Sequence, residues 1–343
     1  MNSRTVIIMA GGALLLAALV VAYLRIGSVA LTPGEVWRAI SGQPAEPLHR
    51  QIVWELRLPR ALIAVVAGAL LGLAGAILQA LTRNPLAEPG LTGVSAGGVL
   101  LVVLWLTRGE GMAAPGRVLP LVALAGGLAA SALVYALARR SHGRVNPIRL
   151  ALVGIMVSAV LSSATSLLLL RHNQALGSIL TWMIGSLNGR VWVHWWMIWP
   201  WALVALPLGI ASASIANVLQ LGDEVAAGIG LPVEGARALL LGVAALLTAI
   251  AVAAVGALGF IGLIGPHLTR RLVGQDARCV FPASAVLTAA LLLGADLLAQ
   301  LLTLNPPFTA TPYRAGLPVG AVTALLGAPF LLYLIRRTHR AHI

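Results

Sequence analysis

Lysine is absent from this sequence, and all 23 of its basic residues are arginine. A Walker A loop requires a lysine to bind the phosphates of a nucleotide, so the chain cannot be a standard P-loop ATPase. Schiff-base catalysis by lysine is excluded for the same reason. The single cysteine, Cys279, rules out any disulfide within the chain.

Charged residues are also scarce, at 10% of the chain against about 25% in an average soluble domain. Hydrophobic residues make up 59%, the mean hydropathy is +0.94, and apolar runs of about 20 residues recur. These features predict an all-α polytopic membrane protein. The net charge of +13 is spread over loops and helix ends without a basic run. This distribution indicates membrane topology and protein docking, with membrane lipid but no nucleic acid as a partner.

Ten apolar segments predict ten transmembrane helices in a single domain covering residues 1–343. Arg4 before the first segment and Arg336 and Arg337 after the last predict that both termini are cytoplasmic. An even number of crossings follows, so even the short Gly-rich segment is expected to cross, and the polar connection Ile26–Leu56 lies outside. The segments are Val6–Leu24, Ala61–Leu81, Leu91–Thr107, Arg117–Leu137, Arg149–Leu170, Trp192–Ala211, Ala236–Val255, Ala257–Leu268, Ala283–Leu304 and Leu317–Ile335.

A polar island, Asn217–Arg237, interrupts this apolar pattern and is predicted to face the cytoplasm. Asp223 is placed to cap a short helix of roughly Glu224–Ile229, Gly230 fits the position just after it, and Pro232 prevents its continuation. A helix of about two turns is marginally stable alone, so other parts of a structure must hold it. It is either an ordinary loop helix against the membrane surface or a docking helix for a soluble partner.

Few polar residues lie within the predicted spans. Asp296, with Gln300 one turn later, is either a carboxylate satisfied by a neighbouring helix or part of an ion-coupled transport site. Gln79 is a second intramembrane polar candidate. Ser158, Ser162, Thr165 and Ser166 share one helical face, which is either a packing surface or the wall of a wet pathway.

The remaining patterns indicate packing and membrane placement. Glycines at close helical spacing, Gly68, Gly72 and Gly75, predict close helix approach. Six of the nine tryptophans fall between Trp182 and Trp201 and predict an aromatic belt at the outer surface. The seven histidines are isolated from one another, and neither an HExxH motif nor a paired-carboxylate motif occurs, so no enzyme or metal site is predicted.

Five stretches carry a family likeness that covers nearly the whole chain in order. They closely resemble the permease subunits of bacterial ABC importers for ferric siderophores, haem and vitamin B12, a type II importer family with ten transmembrane helices. The stretches are Arg57–Gly98 (RLPRALIAVVAGALLGLAGAILQALTRNPLAEPGLTGVSAGG), Trp182–Arg190 (WMIGSLNGR), the polar island, Gly259–Gly274 (GFIGLIGPHLTRRLVG) and Leu317–Arg337.

The resemblance implies an assembly in the bacterial inner membrane. Two permease copies, identical or related, would form the pathway. Two separate ATP-binding subunits would hold ATP and magnesium, and a periplasmic or lipid-anchored binding protein would deliver the cargo. The chain itself would bind no cofactor and catalyse no reaction. Within residues 217–235, the likeness implies a coupling helix that contacts the ATPase through Asp223, Glu224, Ala227, Gly228, Gly230, Leu231 and Pro232.

The likeness also assigns roles elsewhere. Arg57 and Arg60 match positions that look like binding-protein anchors, with Arg314 as a further candidate, whereas the residues alone favour headgroup contact or plain helix termination. Residues Val145, Asn146 and Pro147 lie where the family places a cytoplasmic gate. Facing fifth spans would line the pathway, which favours a wet role for Ser158, Ser162 and Thr165.

Three positions depart from the family pattern. Gln300 stands where an arginine commonly follows the aspartate, which leaves open whether Asp296 pairs with an arginine. Gly265 replaces a more usual apolar residue, and the run Ala315–Pro318 replaces Ala-Glu-Leu-Pro. The likeness favours a ferric siderophore as cargo, followed by haem and then cobalamin. A secondary transporter using Asp296 would take up cargo without an ATPase, and a membrane enzyme would show turnover in the purified chain alone.

Overall fold

The computed structural model describes residues 3–44, 46–107, 118–139, 147–171, 182–304 and 316–340. These residues are overwhelmingly helical, and no β-strand occurs among them. The helices are α1 (Ser3–Arg25), α2 (Pro33–Ile40), α3 (Pro47–Arg50), α4 (Leu58–Thr82), α5 (Val94–Thr107), α6 (Leu119–Ala138), α7 (Pro147–Arg171), α8 (Trp192–Ala211), α9 (Ala213–Gln220), α10 (Asp223–Gly228), α11 (Val233–Val255), α12 (Ile261–Val273), α13 (Ala277–Leu304) and α14 (Val319–Arg340).

The predicted transmembrane segments agree with these helices. Seven helical stretches in the described part of the chain are long and apolar enough to cross a membrane. Two apolar helices, α5 and the Val319–Leu334 part of α14, are shorter. The Gly-rich segment predicted from Ala257 forms α12, which begins later, at Ile261, and contains Pro266. The all-α fold is confirmed, whereas the count of ten crossings stays a prediction.

The connection Ile26–Leu56 contains more structure than its polar sequence indicated. It forms α2 and α3, and a π-helical turn, Gln51–Arg57, joins α3 to α4. A capping box begins α2: the Glu35 backbone N–H donates to Thr32 Oγ1 at 3.4 Å, and the Thr32 N–H donates to the Glu35 carboxylate at 2.7 Å. The bond from the Thr32 N–H, followed by one from the Thr32 hydroxyl at 2.8 Å, lowers the pKa of the Glu35 carboxyl. The Thr-x-x-Glu pattern is the signal that would have predicted this helix.

Helix α4 lies at the centre of the fold and packs against α13, α11, α12 and α8. Glycines on α4 permit this packing, as predicted. A Cβ added at Gly68 would lie 2.7 Å from Ala289 Cα, and one at Gly75 would lie 1.8 Å from the Gly262 carbonyl oxygen. Real Cβ atoms do not approach backbone atoms this closely, so any larger residue would force the helices apart.

Four tryptophans form a row along one side of the molecule. The rings of Trp54, Trp192, Trp196 and Trp199 contact each other in sequence, with centroid distances of 5.6, 6.2 and 6.2 Å. The Trp192 indole N–H donates to the Trp54 carbonyl oxygen at 2.7 Å. Trp196 is 60% exposed. A partly exposed row of tryptophans, in which the indole N–H of Trp192 is hydrogen-bonded, fits the predicted interfacial belt.

Candidate functional site

The short helix α10 has well-defined ends. Gly222, with a φ of +115°, occupies the position before it, so Asp223 is the first helical residue and not the cap that the sequence analysis predicted. At the other end, Gly230 has a φ of +92°. Its N–H donates to the Ala227 carbonyl, and the Leu231 N–H donates to the Ala226 carbonyl, the paired bonds of a Schellman motif. The predicted glycine stop is confirmed.

Asp223 ties α10 to two other helices. Its carboxylate accepts hydrogen bonds from Arg237 Nη2 of α11, at 2.7 Å, and from Arg83 Nη2 at the end of α4, at 2.9 Å. Arg83 also donates to the Leu219 carbonyl of α9. The negative charge lies in the first turn of α10, where it complements the helix dipole. These bonds supply the external support that a two-turn helix requires.

The exposed side of α10 borders a groove of about 620 Å³. Predicted coupling residues Asp223, Glu224, Ala227, Leu231 and Pro232 all line it, together with residues 233–235. Gly228 and Gly230 are exposed beside it, and of the six residues in the helix only Ala226 is buried. The apolar side chains of Leu221, Val225 and Ile229 are exposed as well. A capped helix with an exposed apolar and acidic surface can bind a cleft in a partner as a rigid unit.

A second contact anchors the same region to α13. The Asn217 side chain donates to Asp276 Oδ1 at 2.6 Å and accepts from the Ala277 N–H at 2.7 Å. Asp276 precedes α13 and also accepts from the Arg278 N–H. The hydrogen bond from Asn217, followed by that from Arg278, lowers the pKa of Asp276. The segment before α10 is therefore fixed to α13, while Asp223 fixes the helix itself to α4 and α11.

At the opposite end of α4, the two predicted docking arginines have partners inside the chain. Arg57 is 7% exposed, and its guanidinium donates to the carbonyl oxygens of Leu24 and Val29. Arg60 donates to both carboxylate oxygens of Asp296, at 2.9 and 2.8 Å. These contacts fit the helix-terminus alternative. Their docking role stays a prediction. Carboxylates of a binding protein would have to compete with these partners for the two guanidinium groups.

Asp296 is completely buried and is the centre of a polar cluster that joins α1, α4 and α13. Besides the two bonds from Arg60, its carboxylate accepts hydrogen bonds from the Tyr23 hydroxyl and from Gln300 Nε2, the latter at 3.2 Å. An Asp296–Arg pair therefore exists, with the arginine on α4 and not one turn along α13. This geometry fits a carboxylate satisfied by neighbouring helices.

The hydroxyl face of α7 lines a cavity of about 260 Å³. Ser158, Ser162 and Thr165 share it with Ser95 and Val99 of α5. The Thr165 hydroxyl donates to the Leu161 carbonyl of its own helix, at 2.9 Å. The buried Ser158 Oγ has no hydrogen-bond partner in the described part of the chain. A cavity lined by hydroxyl groups fits the wall of a pathway better than direct packing between helices.

The comparison with known families decides the identity of this fold. The model described as the FecCD transport family matches residues 14–337. The chain belongs to this family. Members of the FecCD family are membrane-spanning permease subunits of ABC importers and are not enzymes. The cargoes of these importers are iron chelates, haem and vitamin B12.

Individual relatives match the FecCD permease along most of its length. It is 36% identical to the iron(3+)-hydroxamate import system permease protein FhuG of Bacillus subtilis, over 98% of this chain and 99% of the relative. It is 39% identical to the hemin transport system permease protein HmuU of Yersinia pestis, over 83% of each. A solved ABC transporter described as being of metal-chelate type, in an inward-facing conformation, matches with a TM-score of 0.81 and 28% identity, covering 97% of this chain and 99% of that one.

Some predicted site residues of this FecCD permease cannot be placed. Arg314, Val145 and Asn146 lie outside the described residues, whereas Pro147 is the first residue of α7. Gln79 is buried near the end of α4 and donates to the carbonyls of Ala87 and Leu263. Among the described residues, no group of three or more histidine, cysteine, aspartate or glutamate side chains could hold a metal ion.

Sequence reasoning missed the partners of the acidic residues in this FecCD permease. Arg83 and Arg237 were not recognised as supports for Asp223, and Tyr23 and Arg60 were not connected to Asp296. The scarcity of acids was the available signal, because a buried carboxylate within a membrane requires a cationic or hydrogen-bonding partner. The whole chain has only 10 acidic residues, so few carboxylates require such a partner.

Proposed function

We propose that the protein is the permease subunit of an ATP-driven importer that carries a ferric siderophore across the bacterial inner membrane. The observation that carries the choice of cargo is the likeness to the hydroxamate permease, which spans essentially the full length of both chains. The iron of such a cargo is already held by its chelator, so the passage through the permease needs to bind the cargo only weakly. The hydroxyl-lined cavity beside α7 fits such a passage.

We infer that the working assembly contains two permease copies, two ATP-binding subunits and an external binding protein. ATP and magnesium would be held by the ATP-binding subunits. Helix α10 is the proposed point of coupling, on the cytoplasmic side, with both chain termini on the same side. Its exposed Glu224 and groove would contact the ATPase, while Asp223 would hold the helix in position from within the permease.

The test of cargo is uptake into proteoliposomes that contain the permease with its cognate ATPase and binding protein. Labelled ferric siderophore, haem and cobalamin are compared, each with and without ATP. Uptake of ferric siderophore only when ATP is present is expected. ATP-dependent uptake of haem or cobalamin instead would replace the proposed cargo.

The test of coupling is the variant Glu224→Arg. This residue is exposed, and no hydrogen bond of its side chain occurs in the described structure, so the change leaves the fold intact. ATP hydrolysis without cargo uptake is the expected result, because a reversed charge on α10 weakens the contact with the ATPase. Glu55→Gln, at an exposed residue on the other side, serves as the control. Full coupling in Glu224→Arg would remove α10 from the proposed interface.

A secondary transporter that uses Asp296 is the second candidate. Under this mechanism, uptake would not depend on ATP and would depend on a proton or sodium gradient. The four hydrogen bonds to the Asp296 carboxylate favour a fixed role over a cycle of ion binding and release.

A further inference from the structure

A basic cavity of about 520 Å³ lies on the predicted cytoplasmic side of the molecule, apart from the groove at α10. It is formed by the C-terminal ends of α4 and α12. Its polar lining consists of three arginines, a histidine and three glutamines: Arg83, Arg270, Arg271, His267, Gln79, Gln220 and Gln275. The function proposed above uses none of these residues except Arg83, which also binds Asp223.

The positive charge of this cavity is only partly balanced by the protein. Arg83 is bound to Asp223 at 2.9 Å. In contrast, no carboxylate in the described part of the chain lies within 4 Å of the Arg270 or Arg271 guanidinium. In a chain with 23 arginines and 10 acids, arginines without an acidic partner are expected, but here two of them border the same open cavity.

The hydrogen-bonding groups of the cavity are also incompletely used. Arg270 Nη2 donates to the Ala76 carbonyl of α4 at 3.1 Å, and Nη1 donates to Gln275 Oε1 at 3.4 Å. Arg270 Nε is buried without a partner among the described residues. In the described structure these two bonds use one N–H of each Nη atom, which leaves the Nε–H and two further N–H groups of this guanidinium available to a ligand.

Gln79 contributes the complementary group. Its side-chain N–H groups are directed to two backbone carbonyls, Ala87 at 3.4 Å and Leu263 at 3.3 Å. This orientation leaves Oε1 as a buried acceptor without a partner in the described structure. A buried polar atom that is unsatisfied is costly and marks a place where a ligand or water is expected. The cavity thus offers guanidinium donors and one acceptor.

We propose that this cavity binds a phosphate group that also carries a hydroxyl donor. Arg270 and Arg271 donate to the phosphate oxygens, because the planar guanidinium matches phosphate geometry and is weakly hydrated. Gln79 Oε1 accepts from the hydroxyl. Two sources share this chemistry: the headgroup of phosphatidylglycerol in the cytoplasmic leaflet, which basic pockets near the membrane surface attract, and free inorganic phosphate.

The test uses the purified full-length permease in detergent. Binding of short-chain phosphatidylglycerol and of inorganic phosphate is measured by the shift in unfolding temperature and by native mass spectrometry. Saturable one-to-one binding of phosphatidylglycerol, weakened by added salt, is expected. If phosphate alone binds at one site and displaces the lipid, the site stands and free phosphate is its source.

Variants locate the binding. Arg271 is exposed, so Arg271→Gln folds normally and should weaken binding about tenfold or more, through loss of a charge-assisted hydrogen bond. Arg270→Gln should do the same. Arg278→Gln, at an exposed cytoplasmic-side arginine outside the cavity, should bind as the wild type does. The proposal is overturned if neither probe binds at one site, if Arg271→Gln binds normally, or if Arg278→Gln loses binding equally.

Discussion

Among single side chains, Asp296 is the one whose environment most restricts its role. It is 0% exposed, and hydrogen bonds from α1 and α4 and from its own helix converge on its two oxygens. Burying an isolated carboxylate in an apolar interior is very costly, so the pair with Arg60 is what permits the residue at this position.

The variant Asp296→Asn is therefore expected to destabilise the protein, by about 3–5 kcal/mol, because it leaves the Arg60 guanidinium inside the structure without its counter-charge. Tyr23→Phe removes one hydrogen bond to a charged group and should cost about 1.5–3 kcal/mol. Thermal unfolding in detergent measures both. Glu55→Gln, an exposed acid, is the control and should unfold as the wild type does. An Asp296→Asn variant that keeps wild-type stability but transports nothing would instead assign the carboxylate to transport.

At the scale of helices, Thr288 of α13 lies between a glycine of α4 and a glycine of α12. A Cβ added at Gly72 would lie 2.3 Å from Thr288 Oγ1, and one added at Gly265 would lie 1.8 Å from it. The Thr288 side chain, which enters from α13, therefore leaves no room at position 265 for a residue larger than glycine.

A double-mutant cycle tests this packing. Gly265→Ala alone should destabilise the protein by about 1–3 kcal/mol, since the added methyl group overpacks the contact. Thr288→Ala should cost only about 1 kcal/mol, because it removes one buried methyl group and a hydroxyl that has no hydrogen-bond partner among the described residues. The double variant should recover part of the stability lost in Gly265→Ala, because the hydroxyl at 1.8 Å is gone while the Cβ of residue 288 remains at 2.9 Å; unfolding temperatures measure this recovery. Simple additivity of the two effects would mean that the two residues do not interact.

The same scale shows how far sequence reasoning reached. Hydropathy predicted each described apolar helix of the membrane domain, and glycine spacing predicted the close approach of other helices to α4. The glycine and proline signals located the end of α10 to within a residue. These features are local, so the sequence contains them directly. The pairing of Arg60 with Asp296 joins residues 236 positions apart, and no local pattern states which helices are neighbours. The prediction that Asp223 caps α10 was wrong because Gly222 occupies the cap position. The Asp223 carboxylate is therefore free to accept hydrogen bonds from Arg83 and Arg237.

For the whole molecule, α4 connects the buried polar cluster around Asp296 to the proposed coupling helix α10. Its 25 residues span about 37 Å, and most of them are buried. At one end, Arg60 binds Asp296 of α13. The neighbouring Arg57 donates hydrogen bonds to the carbonyls of Leu24 at the end of α1 and of Val29 in the connection that follows. Beyond the other end, Arg83 binds Asp223 of α10. A buried helix fixed at both ends moves as a unit, so a displacement of α10 would be transmitted along α4 through the core.

The variant Arg83→Gln tests this transmission. The Arg83–Asp223 pair is about half exposed and contributes about 0–1 kcal/mol to stability, so the unfolding temperature should change little. Coupling should fall, because α10 keeps Arg237 but loses its attachment to α4: the assembled importer should hydrolyse ATP and take up less cargo per ATP.

Arg83 also borders the basic cavity, so Arg271→Gln, which alters that cavity without touching α10, separates the two effects. If Arg271→Gln lowers the cargo-to-ATP ratio as much as Arg83→Gln does, the basic cavity is responsible. If neither variant lowers it, motion of α10 does not pass through α4.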